Sequence, residues 1–422
     1  MIRGKLSIYT QVSAFFFLIN SLWAESWSNW LGPNYNGAVE DTLSVPNKLF
    51  VFDKLWEASV GVGWSSPLVF GKKVFLHDRV NSKENLTAYN ISSGKVLWRF
   101  SSNSNYRDDF GMENGPRSTP SISQGIIITH SPDGIVHAIS VEDGKLKWKV
   151  DLLKKFGSPK GFFGRCSSPL IMGDKVILDV GGVNAGLTAL SLFSGETVWE
   201  SKPYGNDYAS VVPLKIDNMD MVVAFMRQGL VIVDAKDGEE VYFDRFQSPI
   251  NASVNAASPL VLQNGVFLSS CYEVGSGYWE FSIEGGRIEF TNKWKKIGVL
   301  DCHYSTPIEH ENFLFGFHGR QERGSSLRCM RLSDGKVMWT APPIGTGHLI
   351  RIGKSGLCLT EKGELLIFNL NPSEFKPVLR EQVLGSGRAH FAYSQGLVFA
   401  RDKRRLVCFD LTGLSKKSTK QN

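Results

Sequence analysis

One short stretch recurs along the chain and limits what it can fold into. AYNISSGKVLWRF at residues 88–100 returns as AISVEDGKLKWKV at 138–150, ALSLFSGETVWES at 189–201 and CMRLSDGKVMWTA at 329–341. Blurred copies stand at 232–242 and 280–290, and a truncated one at 408–413. Each reads as strand, tight turn, strand. Gly94, Gly144, Gly195, Gly238, Gly286 and Gly335 fall in the turn, where a left-handed backbone suits a residue without Cβ. Ser93, Asp143, Ser194, Asp237 and Asp334 precede them and can bond the turn backbone. Trp98, Trp148, Trp199, Tyr242, Phe290 and Trp339 follow, large apolar groups suited to wedging between neighbouring sheets.

A second signature alternates with the first: WSSPLVFGKKVFL, RSTPSISQGIIIT, CSSPLIMGDKVIL, NAASPLVLQNGVFL and YSTPIEHENFLFGF. These are further hairpins, with small residues and proline where the strand begins. Pro67, Pro120, Pro169, Pro213, Pro259 and Pro307 are separated by 53, 49, 44, 46 and 48 residues, and the same spacing reaches Ile350 and Tyr393 in strand-turn-strand patterns. A period in the forties with four strands per repeat indicates an all-β fold, an eight-bladed β-propeller of four-stranded antiparallel blades. The strand at 405–410 lacks an outer partner, and the strand around Trp56 lacks its own hairpin mate. Joining them makes a blade shared by both termini and removes two exposed sheet edges. The seventh repeat has Asn371-Pro372-Ser373 in place of the Asp-Gly turn and no tryptophan near Val378, which leaves seven blades as the alternative.

Residues 1–24 combine Arg3 and Lys5 with the apolar run AFFFLINSL and end on Ala24, the pattern of a secretory signal peptide. A retained anchor is the alternative, and no cysteine follows the run to carry a lipid. The expected division is a leader at 1–24, one propeller domain at 25–415 and a disordered basic tail at 416–422. With 42% hydrophobic and 21% charged residues the chain can bury a large core. The net charge of +6 falls to +4 once Arg3 and Lys5 leave, too mild for a nucleic-acid partner. An oxidising compartment permits disulfides among the six cysteines, and Cys271 with Cys302 is the pairing to expect, though spacing does not fix connectivity. Cys329 and Cys408 occupy apolar repeat positions and read as buried thiols.

The repeat resembles the A-x-D-x-x-T-G-K-x-x-W tryptophan-docking motif of the pyrroloquinoline-quinone-type propellers. Ala88, Asn90, Ser93, Gly94, Lys95 and Trp98 carry the likeness, as do Ala138, Asp143, Gly144, Lys145 and Trp148, then Ala189, Gly195 and Trp199, and Gly335, Lys336 and Trp339. The opening WSNWLGPNYNGA at 27–38 is similar to the N-terminal segment of secreted bacterial members, which have arginine where this chain has Leu31. The resemblance implies a superfamily holding both quinoprotein dehydrogenases, with quinone and calcium in the central funnel, and non-catalytic members such as the outer-membrane protein assembly propeller. Its docking motif is structural and does not choose between them. The missing vicinal cysteine pair, the lack of long insertions and the absence of CxxCH count against a dehydrogenase. No cofactor is therefore expected; pyrroloquinoline quinone and Ca belong to the alternative.

In a propeller the segments leading into the innermost strands line one mouth of the channel. Here they deliver Trp64, Arg117, Arg165, Tyr208, Asn255, His303, Tyr304, His348, Arg388 and His390, which could hold an anionic or planar ligand. Asp301 beside His303, with Asp108, Asp109 and Glu113, are the acid/base or calcium candidates. His310, Glu311 and His318 lack zinc-site spacing, and SSGKVL lacks a phosphate-cradling glycine loop. The expected function is a secreted or periplasmic, monomeric, non-catalytic scaffold that binds a cell-envelope protein or small ligand, with no transmembrane span after leader removal. A quinone-dependent alcohol or sugar dehydrogenase is the alternative, and a hydrolase on the same scaffold a fainter one.

Overall fold

A computed structural model describes residues 26–43, 52–285 and 287–412. The leader, the basic tail, the turn residue Gly286 and Gly413 of the truncated copy lie outside the described residues. Among those residues there are eight antiparallel sheets and almost no helix, only Leu152–Phe156 and a single 3-10 turn at Gln321–Arg323. Blade 1 sets the pattern. From the axis outward it runs Leu68–Phe70, Lys73–Val80, Lys83–Asn90, Val96–Asn103. Its middle strands are buried, while the outermost alternates exposed and half-buried residues, as expected of a strand with one face on the neighbouring blade. Blades 2 to 6 repeat this order, and the innermost strands of blades 2 to 5, 6 and 7, and 8 and 1 touch their neighbours around the axis.

Both termini complete blade 8. Ala392–Ser394, Leu397–Arg401 and Arg405–Asp410 are joined by Asp53–Ser59 from the other end of the chain, with Lys54 opposite Phe409 and Trp56 opposite Cys408. Blade 7 is complete despite its divergent turn: Gly347–Ile352, Ser355–Thr360, Glu364–Asn369 and Pro377–Gln382 form four antiparallel strands. Eight blades therefore stand, and the seven-blade alternative falls. A fifth strand, Ala38–Val39, pairs parallel to the inner edge of blade 7, a contact the repeat pattern could not announce.

The tryptophans dock each blade on the next. Trp56 Nε1 donates to Ile91 O, Trp98 to Val141 O, Trp148 to Leu192 O, Trp199 to Ala235 O and Trp339 to Asn371 O. The turn glycine is required at these contacts. At Gly144, with φ +72°, a Cβ would lie 2.6 Å from the Trp98 ring. Two of the expected wedges need correction. Blade 5 has long strands, Gly275–Glu284 and Arg287–Lys296, so its fixed-offset aromatic Phe290 lies beyond the blade interface and packs on Tyr242 instead. Trp294 takes the docking place, donating to Leu332 O beside Gly335. Between blades 4 and 5 the wedge comes from the opposite side, where Trp279 Nε1 donates to Asp244.

Hydroxyl residues ahead of the innermost strands, each directly before proline except Ser210, link blades 1 to 6 in a chain of their own. Ser66 N–H donates to Thr119 Oγ1, Thr119 N–H to Ser168 Oγ, Ser168 N–H to Ser210 Oγ, Ser210 N–H to Ser258 Oγ and Ser258 N–H to Thr306 Oγ1, all at 2.9–3.2 Å. Each buried hydroxyl satisfies a backbone donor of the preceding blade that no ladder reaches. In blades 7 and 8 the strand register puts His348 and His390 at the equivalent position.

The aromatic opening segment lies inside the channel. Trp27 O and Ser28 O accept from Val69 N and Ile122 N of blades 1 and 2, Trp30 Nε1 donates to Ser258 Oγ of blade 5, and Gly37 O accepts from Arg351 N of blade 7. It thus crosses the axis. All six cysteines are free. The expected Cys271–Cys302 bond is absent because the two thiols turn to different carbonyls, Cys271 Sγ to Asp301 O and Cys302 Sγ to Leu300 O.

Candidate functional site

Above the opening segment the channel widens into a funnel open to solvent at its mouth. Trp30 enters its lining from the segment that crosses the axis, and every blade contributes to the wall through the stretch preceding its innermost strand or, in blade 7, through His348 at the start of that strand. Eight of the ten residues expected at the mouth come together there: Trp64, Arg117, Tyr208, His303, Tyr304, His348, Arg388 and His390. Arg165 and Asn255 do not line it. They belong to a buried network between blades 3, 4 and 5, in which Arg165 holds the backbone and carboxyl of Asp179, Asp207 N–H donates to Asp179 and Asn255 N–H donates to Asp207. Burial pushes the Asp179 carboxyl up to about 6 and that of Asp207 to about 7. Asn255 Nδ2 turns to Met226 O. Both residues tie blades together.

The funnel's ions are internally matched. The Arg117 guanidinium lies 4.4 Å from the Trp64 ring centre, 2.7 Å from Asp108, and donates to Tyr106 Oη and Phe163 O. Arg388 lies 5.0 Å from the same Trp64 ring and 3.0 Å from Glu361, which also accepts from Tyr304. Arg320 stacks on Tyr272 and pairs with Glu322. The indole and phenol faces that look available in sequence are thus partly covered by cations with their own counter-ions.

A run of rings spans blades 6 to 8. His303 stands 5.7 Å from Tyr304, Tyr304 5.4 Å from His348, and His348 4.7 Å from His390, with Trp30 edge-on to both of the last two. Burial holds all three imidazoles neutral, lowering His303 and His390 to about 4 and His348 to about 3. His303 Nε2 meets Tyr272 Oη at 2.9 Å, and His348 Nε2 meets Arg388 O at 3.0 Å.

The acid/base candidates separate. Asp108 is bound to Arg117 and to the N–H groups of Phe110 and Met112. Asp109 is an exposed partner of Lys160, and Glu113 accepts from Gly63 N and faces Lys403. Asp301 accepts from Gly298 N instead of meeting His303. Calcium takes six to eight oxygens. Here the funnel carboxylates are individually held by arginines, and among the described residues no trio of His, Cys, Asp or Glu converges on a metal position. The donor set does not fit a calcium–quinone pair.

Trp30, Met112, Phe163, Cys166, Tyr272, Gln321 and Glu322 also line the funnel. Of these Trp30 carried a sequence signal in the aromatic opening segment, and Cys166 another as the first residue of CSSPLIMGDKVIL, the position that Trp64 and Arg117 hold in their own copies. The others sit on connecting loops whose destination no local pattern encodes. The Cys166 thiol is pushed up to about 11 by burial, which leaves it protonated and unreactive at neutral pH.

The family model for "Outer membrane protein assembly factor BamB" matches residues 22–215 and 183–412. The chain belongs to that family. A BamB of this name from Moranella endobia is 24% identical over 224 residues, 52% of this chain and 53% of the relative. The chain thus spans about half the length of the curated relative it matches. The crystal structure of BamB from Moraxella catarrhalis superposes with a TM-score of 0.61 at 15% identity, covering 88% of this chain and all of that one. A quinohemoprotein alcohol dehydrogenase from Comamonas testosteroni superposes at 0.65 with 12% identity, covering 98% of this chain and 84% of that one. At such identities the two superpositions speak for the shared propeller alone.

Proposed function

We propose that this BamB-family propeller is a non-catalytic scaffold of the cell envelope, presenting its rim loops and funnel mouth to a partner protein. The observation that carries the reading is the condition of the funnel's ionisable groups. Its carboxylates are engaged by arginines or backbone N–H groups, and its imidazoles, though neutral, are made weak bases by burial; His303, which meets a hydroxyl, Tyr272 Oη, is lowered to about 4, far from the value suited to a general base at neutral pH. Beside the mouth, Phe110, Met112 and Phe162 are exposed on the loops before blades 2 and 3, an apolar edge continuous with Phe163 in the funnel wall. The family name, with its reference to outer membrane protein assembly, supports a periplasmic setting. No helix of the described residues is long and apolar enough to cross a membrane.

The dehydrogenase alternative has the fold in its favour and the donor set against it. Two measurements test the reading. Photo-crosslinkers placed at Phe110 and Phe162 in cells should capture one discrete envelope protein, and a crosslinker at the outer-strand position Lys147 should not. Purified protein given pyrroloquinoline quinone and calcium should show neither thermal stabilisation nor dye-linked alcohol oxidation. Turnover with the quinone would overturn the scaffold reading.

A further inference from the structure

The geometry points to the mouth face at blades 2 and 3 as the docking site of an acidic peptide segment with one large apolar side chain, that side chain seated on Phe110 and Phe162 and the carboxylates on the cations around them. This names the chemistry of the partner in the scaffold reading and rests on that reading.

Three loops build the surface. Residues 104–116 leave the outer strand of blade 1, residues 152–164 leave that of blade 2, and residues 181–186 join the second and third strands of blade 3. In an antiparallel blade these two kinds of connection emerge at the same end, so all three stand at the funnel mouth. They adjoin one another. Lys160 Nζ lies 2.6 Å from Asp109 and 5.2 Å from the Tyr106 ring centre, and a Cβ on Gly182 would fall 2.2 Å from Phe156 O. Large apolar groups stand out of each loop: Phe110 is 59% exposed, Phe162 46%, Leu153 56% and Val183 81%. Solvated apolar groups gathered on one face mark an interaction site.

The rings also make a path inward. Phe162 lies 6.2 Å from Phe110, Phe110 5.2 Å from Phe163 and Phe163 5.6 Å from Tyr208, and exposure falls along that line from the two rim rings to the buried Tyr208. A side chain carried on a segment can follow this path down, whereas a flat bilayer would meet the rim tips alone. The path therefore favours a peptide over a lipid surface. Charge selects among peptides. Among the described residues of the three loops Arg107, Lys154, Lys155 and Lys160 are exposed, while Asp109 is the one exposed carboxylate and Asp108 is turned inward to Arg117. The Lys160–Asp109 pair is open to solvent and correspondingly weak, so a partner's carboxylate can replace Asp109. The positive excess of this rim complements an acidic segment and repels a basic one.

Fluorescence anisotropy of the full chain with three labelled short peptides tests the proposal: glutamates around a central phenylalanine, serines around the same phenylalanine, and glutamates around a central serine. The first should bind at least about tenfold more tightly than either of the others, because several weak ion pairs and one buried apolar group act together. High salt should erase the gap between the first two. Lys155→Glu combined with Lys160→Glu should close the same gap, and Phe110→Ser combined with Phe162→Ser the gap between the first and third. Lys236→Glu, on a turn at the opposite end of blade 4, should change neither. All five substituted residues are exposed, so the fold is retained. Equal binding of the acidic and serine peptides, no binding of any peptide, indifference to the lysine reversals, or sedimentation with phosphatidylglycerol vesicles that Phe110→Ser abolishes overturns the proposal. Crosslinking in cells separates it from the reading beneath it. Capture at Phe110 that persists undiminished with both lysines reversed sinks the acidic segment and leaves the scaffold, while no capture by the parent chain sinks the scaffold reading and this proposal with it.

Discussion

Thr119→Val and Ser118→Ala remove neighbouring hydroxyls from the same RSTP signature, and the structure assigns them opposite consequences. Both residues are at most 1% exposed. Thr119 Oγ1 accepts the Ser66 N–H at 3.0 Å, a link between blades 1 and 2, whereas Ser118 Oγ has no partner. Valine fills the threonine's space but strands the Ser66 N–H in a buried setting, at a cost of about 1–3 kcal/mol. Alanine removes a polar atom that was desolvated without compensation, so Ser118→Ala should be neutral or stabilising by up to about 1 kcal/mol. Unfolding entropy near 2.1 cal/mol/K per residue gives about 0.9 kcal/mol/K for 422 residues. The expected shifts are then about 1–3 °C downward for Thr119→Val and about 0–1 °C upward for Ser118→Ala. Paired calorimetric melts of the two variants and the parent, in one buffer, resolve such differences. A loss for Ser118→Ala equal to or greater than that for Thr119→Val would refute the hydroxyl chain as the reason for the signature.

Three further outcomes follow from the same structure. Trp294→Ala should destabilise by about 3–5 kcal/mol, and Phe290→Ala by clearly less because Phe290 is only half-buried; chemical unfolding in which Phe290→Ala costs the same or more would restore the original reading of blade 5. Stability should climb as pH rises from about 4 to about 6.5 and be lost on the way back. His130 and His348 are held near about 3, and His137, His303, His318 and His390 near about 4, below the free value of about 6.5, so across that window the unfolded chain binds more protons than the native one. Asp179 and Asp207, raised to about 6 and about 7, act in the opposite sense but are fewer; a melting temperature that is flat or falls between pH 4 and 6.5 contradicts this balance. Reductant should leave the melting temperature unchanged, and alkylation after denaturation without reductant should modify all six thiols; a mass short by two would reinstate the Cys271–Cys302 bond.

The repeat and its spacing were sufficient for the architecture, because hairpin turns and strand alternation are local and a fixed period leaves few ways to bury every sheet face. Closure of blade 8 was legible for the same reason: a strand without a hairpin mate at each end of a repeat array has one obvious partner. The mouth residues were legible as a set, since each stands just ahead of or at the start of an innermost strand. Phe290 was misread because a fixed offset presumes fixed strand length, and blade 5 breaks that premise.

What the sequence could not decide was the state of those mouth residues. Whether Arg117 is a free cation or a partner of Asp108, and whether His348 is charged or buried neutral, depends on which loops fold over the funnel and how much water they exclude. Arg165 and Asn255 stand one residue ahead of Cys166 and Ala256, which hold the position of Trp64 and Arg117 and do line the funnel, so they point into the blade contacts, where they meet Asp179 and Asp207. The N-terminal segment's path across the axis is likewise set by Val69, Ile122, Ser258 and Arg351, residues far from it in the chain. Local hydrogen bonding and periodicity drew the ring; long-range burial and charge pairing set the state of the residues around its opening.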